Sequence, residues 1–212
     1  MDIALRWSIV IPVKVLARAK SRLATLAGPR RPELALAMAA DTVAAAVACG
    51  SGTVIVVTGD AAATVELAGL GALVLPDEPD TGLNRALEFG AAHAAARWPD
   101  RGRAALAADL PALKPAELGG ALAAAARLPE AFVADAAGTG TTLYMAGPEA
   151  AFCPKFGPGS RARHRLGGAV QLDLDSGSGL RRDVDTPADL RQAAQIGLGP
   201  RTAALAAQLA ER

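Results

Sequence analysis

The stretch Ser8-Ile9-Val10-Ile11-Pro12-Val13, with Lys14-Val15-Leu16-Ala17-Arg18-Ala19-Lys20-Ser21-Arg22 directly behind it, decides the fold. A short β-branched apolar run that gives way to a charged loop reads as a strand buried on both faces. Working outward, residues 32–49 are Ala-rich and long enough for a helix, which Gly50 and Gly52 stop. TVIVVT at 53–58 repeats the pattern of a buried strand. Residues 61–70 are helical in character, 72–75 form a short strand, 76–81 an acidic loop and 82–97 a further helix. Strand, helix, strand, helix is the signature of a parallel sheet covered on both faces.

The second half is less regular. Residues 103–108 read as a strand ending at Asp109, and 115–127 as a helix. Two strands at 131–135 and 141–146 flank a Gly/Thr loop. Residues 168–175 alternate apolar and polar side chains, the pattern of a half-exposed strand. Helices are expected at 187–197 and 200–212. No repeat and no linker divides the chain, so the expectation is one α/β domain over 1–212, with a mixed, mostly parallel sheet flanked by helices.

Composition narrows the function. A chain of 212 residues, 51% hydrophobic, can bury a sizeable core. A net charge of +1 gives no whole-chain attraction to nucleic acid or to an anionic membrane. Aromatics at 3% argue against stacking platforms for single strands. Cys49 and Cys153 lack metal-ligand spacing, and free thiols fit a cytoplasmic protein. Neither a signal peptide nor a membrane span is expected.

In open α/β sheets ligands bind outside the carboxyl ends of the strands. That rule selects the loops after Val13, Thr58, Leu75 and Ala108. The first holds four cations, Lys14, Arg18, Lys20 and Arg22, within nine residues. It is either a phosphate-binding loop or a solvated basic turn, and it lacks the glycines of a P-loop or a GxGxxG turn. Asp109 ends a strand two residues before Pro111; it is either a hard oxygen ligand for Mg²⁺ or a turn residue. In Asp183-Val184-Asp185-Thr186-Pro187-Ala188-Asp189, the last four residues form a helix start with a capping acid. Asp183 and Asp185 have no such explanation. Two like charges on one face of an extended segment favour a metal site. Asp173 and Asp175 share the spacing but alternate with leucines, as on an ordinary wet strand. The segments 137–142 and 156–165 could bind a small acid through N–H groups, hydroxyls or the arginines Arg161, Arg163 and Arg165, or could be a hairpin turn and a surface loop. His93 falls on a helix and His164 in the basic loop. No activated nucleophile is evident, and a phosphate monoester needs none, because it is already an anion at neutral pH.

Taken together, IPVKVLARAKSRL (11–23), TVIVVT (53–58), DTGLNRAL (80–87), ADLPAL (108–113), GTGTTL (138–143), FGPGSRARHR (156–165) and RDVDTPADL (182–190) resemble one family. It is the guanylyltransferases that make the activated phospho-acid precursor of the deazaflavin coenzyme F-420. The resemblance implies a GT-A-like, Rossmann-related nucleotidyltransferase fold. It implies that Asp109, Asp183 and Asp185 hold Mg²⁺, that Thr141, Gly157 and Ser160 bind the phospho-acid, and that Lys14, Lys20 and Arg22 meet the triphosphate of GTP. Asn84 would lie near the nucleoside. Two positions depart from the pattern: Gly159, where an acidic residue is expected, and Gly59, where a bulkier one is usual. The expected reaction joins GTP to phosphoenolpyruvate, giving enolpyruvyl-diphospho-guanosine and pyrophosphate. The alternative acceptors are 2-phospholactate and 3-phosphoglycerate. The Ala- and Arg-rich composition favours phosphoenolpyruvate by association alone. A downstream transferase would take the product, and a homodimer is compatible with the chain. The rival readings are a molybdopterin or sugar-phosphate nucleotidyltransferase, which predicts a glycine-rich first loop, and a non-catalytic nucleotide sensor, which would need no metal carboxylates.

Overall fold

The computed structural model describes residues 5–77 and 81–210. The acidic loop expected at 76–81 therefore lies partly outside the described residues, as do Met1 to Ala4 and the last two residues of the expected C-terminal helix. Every residue of β1 (Trp7–Val13) is buried. Its side chains alternate across the sheet, so Ile9, Ile11 and Val13 enter one core cluster while Val10 enters another. That two-sided burial is why the run is apolar throughout rather than alternating.

Two short 3₁₀ turns, Leu16–Arg18 and Ser21–Leu23, carry the chain from β1 into a single helical turn, α1 (Ala24–Ala27). There follow α2 (Arg31–Ala48), β2 (Gly52–Thr58), α3 (Ala61–Gly69), β3 (Leu73–Pro76), α4 (Leu83–Arg97) and β4 (Gly102–Leu106). The rest comprises α5 (Pro115–Ala125), β5 (Glu130–Ala134), β6 (Thr141–Ala146), α6 (Ser160–Leu166), β7 (Val170–Gln171), α7 (Pro187–Ile196) and α8 (Pro200–Ala210).

The strands form one sheet in the order β3-β2-β1-β4-β6-β5-β7. β1 pairs in parallel with both β2 and β4, and β2 with β3. β6 is antiparallel to both β4 and β5, and β7 is parallel to β5. The sheet is therefore mixed and mostly parallel, as expected. The chain winds outward from β1 to β3, then returns to place β4 on the other side of β1. That reversal is a topological switch point, where such folds open a crevice.

Helices α2 and α5 cover one face, and α4 covers the other. The approach of α4 depends on Gly90. A Cβ there would lie 2.6 Å from a Val10 methyl and 2.9 Å from a Val57 methyl.

Two expectations are corrected. The strand expected at 168–175 shrinks to Val170–Gln171, which pairs with Ala131 and Phe132 of β5, while the Ala134 carbonyl further along β5 accepts from the Arg181 side chain. Beyond it the Asp175 carboxylate accepts from Gly177 N at 2.7 Å and closes a turn. The segment 156–165 is neither hairpin nor plain loop, since its second half is α6. His164 lies on that helix and is 1% exposed, not in a basic loop.

Candidate active site

The carboxyl ends of β1 and β4, the start of β6 and the loop before α6 surround a cavity of about 680 Å³. Lys14, Lys20, Arg22, Asp109, Thr141, Gly157, Ser160, Asp183 and Asp185 all line it. A second cavity of about 390 Å³ shares the Pro12–Lys14 turn and reaches Gly59 and Asp77, at the ends of β2 and β3.

The basic loop is held from several sides. Leu16 N donates to the Asp60 carboxylate at 2.9 Å. That bond, ahead of those from Ala63 and Ala62, holds the Asp60 carboxyl below its ordinary range. Arg31 of α2 donates to the carbonyls of Ala17 and Ala19. Lys20 has φ 54°, the one positive φ outside glycine among the described residues. A left-handed lysine costs on the order of 1–3 kcal/mol and persists where its surroundings demand it. Here the demand is electrostatic, because the ammonium pairs with Asp109 and, at 2.7 Å, with Asp185. Burial pulls the Lys20 pKa down, but those two carboxylates outweigh it and hold the group above its ordinary value.

The acidic wall is equally built. Leu110 N, just past Asp109, donates to Thr42 Oγ1 of α2 at 3.0 Å, and that hydroxyl donates to Met38 O. Val184 N donates to Asp109 O at 3.1 Å, which binds the 183–185 segment to the end of β4. The cap works as expected: Asp189 accepts from Thr186 N at 2.8 Å and also from Asp185 N at 3.2 Å. Among the described residues no cation pairs with Asp183. Burial, then the charges of Asp109, Asp135 and Asp185, push its carboxyl up to about 7. Asp185 differs: burial would raise it, but Lys20 prevails and lowers it.

Asp135 belongs to this wall, and sequence reasoning missed it. It follows β5 directly, so the carboxyl-end rule would have found it had the rule been applied to that strand. Its carboxylate accepts from Thr139 N at 2.9 Å and Gly140 N at 2.8 Å. Gly140 is needed there, because a Cβ would lie 2.4 Å from Asp135 Oδ2.

Two further expectations are corrected. Asn84 lines neither cavity. Its amide donates to Phe156 O at 3.2 Å and accepts from Phe156 N at 2.9 Å, so it fastens the Gly157 turn to α4. The arginines of α6 do not form a carboxylate clamp. Arg161 donates to Gly138 O and Gln171, and Arg163 to the carbonyls of Lys155, Phe156 and Pro158. Arg165 is exposed. Asp173 and Asp175, by contrast, stand outside the cavity, though beyond the end of β7 rather than on a wet strand. Among the described residues no three His, Cys, Asp or Glu side chains are already gathered as a metal set. No helix among them is long and apolar enough to cross a membrane.

A crevice at a sheet switch point, with a cationic loop on one lip and carboxylates on the other, fits a nucleotidyltransferase. The comparisons narrow this class. The chain belongs to the family of guanylyl transferases like CofC, whose profile matches residues 7–193. It is 62% identical to a phosphoenolpyruvate guanylyltransferase of Thermomonospora curvata, over 98% of this chain and 92% of that one. It is 58% identical to the Streptomyces coelicolor enzyme of the same name, over 97% and 98%. A nucleotidyl transferase from Methanothermobacter, 21% identical, superposes over 91% of this chain and 97% of that one with a TM-score of 0.64, which shows the shared fold.

Proposed function

We propose that this chain transfers a guanylyl group from GTP to phosphoenolpyruvate, releasing pyrophosphate. The observation that carries the reading is one cavity in which a basic loop, a carboxylate wall and a neutral hydroxyl-bearing wall meet, in a chain 62% identical to a phosphoenolpyruvate guanylyltransferase. A phosphate oxygen of the acid attacks the α-phosphorus of GTP. A new P–O bond forms, the α–β bridging P–O bond breaks, and both its electrons leave with pyrophosphate. No base is required, since the attacking oxygen carries no proton at neutral pH. Catalysis then rests on position and charge.

Lys14, Lys20 and Arg22 are assigned to the triphosphate. Thr141, Gly157 and Ser160 are assigned to the acid, through two hydroxyls and an N–H that no side chain screens. Asp109, Asp183 and Asp185 would hold Mg²⁺. The donor set fits: hard oxygens suit that ion, two of the three already gather the Lys20 ammonium, and Asp183 lacks a cation. Bound there, the ion would screen the two anions and stabilise the leaving group's charge. Asn84 acts on the nucleoside only indirectly, through the turn it fastens. The product is an activated phospho-acid, and a downstream transferase would consume it.

The test is pyrophosphate release with GTP, Mg²⁺ and one acid at a time: phosphoenolpyruvate, 2-phospholactate or 3-phosphoglycerate. Turnover with phosphoenolpyruvate well above the other two supports the reading. Release with a sugar phosphate, or with none of the three acids, overturns it.

A further inference from the structure

His164 is a buried imidazole to which the reaction above gives no role, and both of its ring nitrogens are engaged. Lys155 N donates to Nε2 at 2.9 Å, so Nε2 carries no proton. The single proton of the neutral ring is therefore on Nδ1, which lies 3.0 Å from Thr141 Oγ1. Nδ1–H donates and the threonine oxygen accepts. The Thr141 hydroxyl hydrogen is then free to be given elsewhere, and Thr141 lines the main cavity at 7% exposure.

The ring has little freedom to do otherwise. It stacks on Tyr144 with centroids 4.8 Å apart and planes 18° apart, and Phe132 and Phe156 close around it at 5.5 Å and 5.8 Å. Tyr144 is itself fixed, donating to Glu130 and accepting from Cys153 N. Burial, then the facing positive charges of Lys155 and Arg163, oppose a second proton on the ring and outweigh the backbone of Ser160, which favours it.

We propose that His164 is a positioning residue, whose Nδ1–H occupies a lone pair of Thr141 and so fixes the hydroxyl as a donor to an anionic oxygen of the acceptor acid. This rests on the assignment of Thr141 to the acid pocket. A threonine hydroxyl otherwise rotates among donor and acceptor orientations, and an anion rewards only the donor. The order imposed before binding does not have to be imposed during it.

His164→Asn and His164→Gln separate this role from mere packing. The Asn amide can place an N–H near the Nδ1 position and keep the donor to Thr141. The Gln amide reaches the Nε2 position and keeps only the acceptor for Lys155 N. KM for phosphoenolpyruvate should rise roughly tenfold in His164→Gln and stay within about threefold of wild type in His164→Asn, with KM for GTP steady in both. In a Thr141→Val background, His164→Gln should add nothing further. An equal effect of His164→Gln in both backgrounds overturns the proposal, as does an equal rise in the Asn and Gln variants. If Thr141→Val alone leaves KM for phosphoenolpyruvate unchanged, the pocket assignment has failed instead, and the proposal falls with it. The wild-type protein supplies an independent check. Long-range ¹H–¹⁵N spectra should show His164 protonated at Nδ1 and bare at Nε2, and the opposite tautomer refutes the mechanism without any variant.

Discussion

The same histidine makes the protein acid-labile by an amount that can be worked out. Burial, then the Lys155 and Arg163 charges, lower the His164 pKa from 6.5 to about 4. Below pH 6.5 the unfolded chain takes up a proton that the folded chain refuses, so stability is intact above 6.5 and is lost as pH falls toward 4. For one site with these two values the loss is about 1.4 kcal/mol at about pH 5.5 and about 2.5 kcal/mol at about pH 4.5. Other groups titrate in this range, so the effect is read as a difference between wild type and His164→Asn, which cannot take up that proton. At about pH 7.5 the wild type should be the more stable, because both hydrogen bonds of the ring are intact. That advantage should shrink by about 1.4 kcal/mol at about pH 5.5, or roughly 3–6 °C in melting temperature for a chain of this length. Urea titrations at the three pH values measure it directly. A wild-type advantage that stays constant from about pH 7.5 to about 4.5 would show that the imidazole is as free to protonate in the fold as outside it. The one-acceptor, one-donor arrangement of the neutral ring inferred above would then be wrong.

Four further outcomes are expected. Asp109→Asn keeps the shape of the turn but removes a charge, and kcat/KM in the pyrophosphate assay should fall at least about a hundredfold. Asp183→Asn and Asp185→Asn should each lose most activity while Asp173→Asn and Asp175→Asn keep theirs; the reverse ranking would move the metal site to the 172–175 segment. Gly90→Ala should lower the melting temperature by roughly 2–6 °C, because overpacking against two valine methyls at ~1–3 kcal/mol outweighs about 1 kcal/mol of helix propensity; an unchanged or raised melting temperature would mean that α4 can shift away at no cost. In competition at equal concentrations GTP should be consumed ahead of ATP, and equal use of the two would reopen the sugar-nucleotide reading.

What the sequence makes legible follows from how much of the local chemistry is self-contained. SIVIPV and TVIVVT could only be two-sided strands, and the Thr186-Pro187-Ala188-Asp189 start is a cap whose partners lie within three residues. The carboxyl-end rule then found Lys14, Arg18, Lys20, Arg22 and Asp109, because it depends on strand direction alone, while Asp183 and Asp185 stood out as an unexplained pair of like charges and Thr141, Gly157 and Ser160 came from the family resemblance. The failures are tertiary. No apolar repeat marks α6, which begins four residues after Phe156, since the residues it turns inward are Ser160 and His164, four apart and both polar. That i, i+4 pair was the available signal. The alternation at 168–175 was real, but only Val170 and Gln171 pair with β5, and the chain then turns at Asp175. Asn84 was placed by motif near the nucleoside, whereas its amide geometry matches a backbone N–H and C=O pair 72 residues away.

On the proposal above, the charge of the cavity gives the carboxylates and the basic loop a joint role. Among the described residues lining it, Lys14, Arg18, Lys20 and Arg22 face Asp109, Asp135, Asp183 and Asp185. With the Asp183 carboxyl pushed up to about 7, four cations against these four carboxylates leave little surplus positive charge for a nucleoside triphosphate and a phospho-acid, which each carry several negative charges. Lys20 is moreover spent inside the wall, where Asp109 and Asp185 hold it. On the proposal above, a divalent cation on the carboxylates changes both facts at once. It replaces the ammonium as their counter-charge, so Lys20 is available to the triphosphate beside Lys14 and Arg22. It also gives Asp183, the most disfavoured charge in the wall, the partner it lacks. Balanced charge without the ion and surplus positive charge with it would tie tight binding of the two anions to the presence of the ion. The Thr141 wall stays neutral throughout, so the acid would be oriented there by hydrogen bonds rather than drawn into the cationic loop meant for GTP.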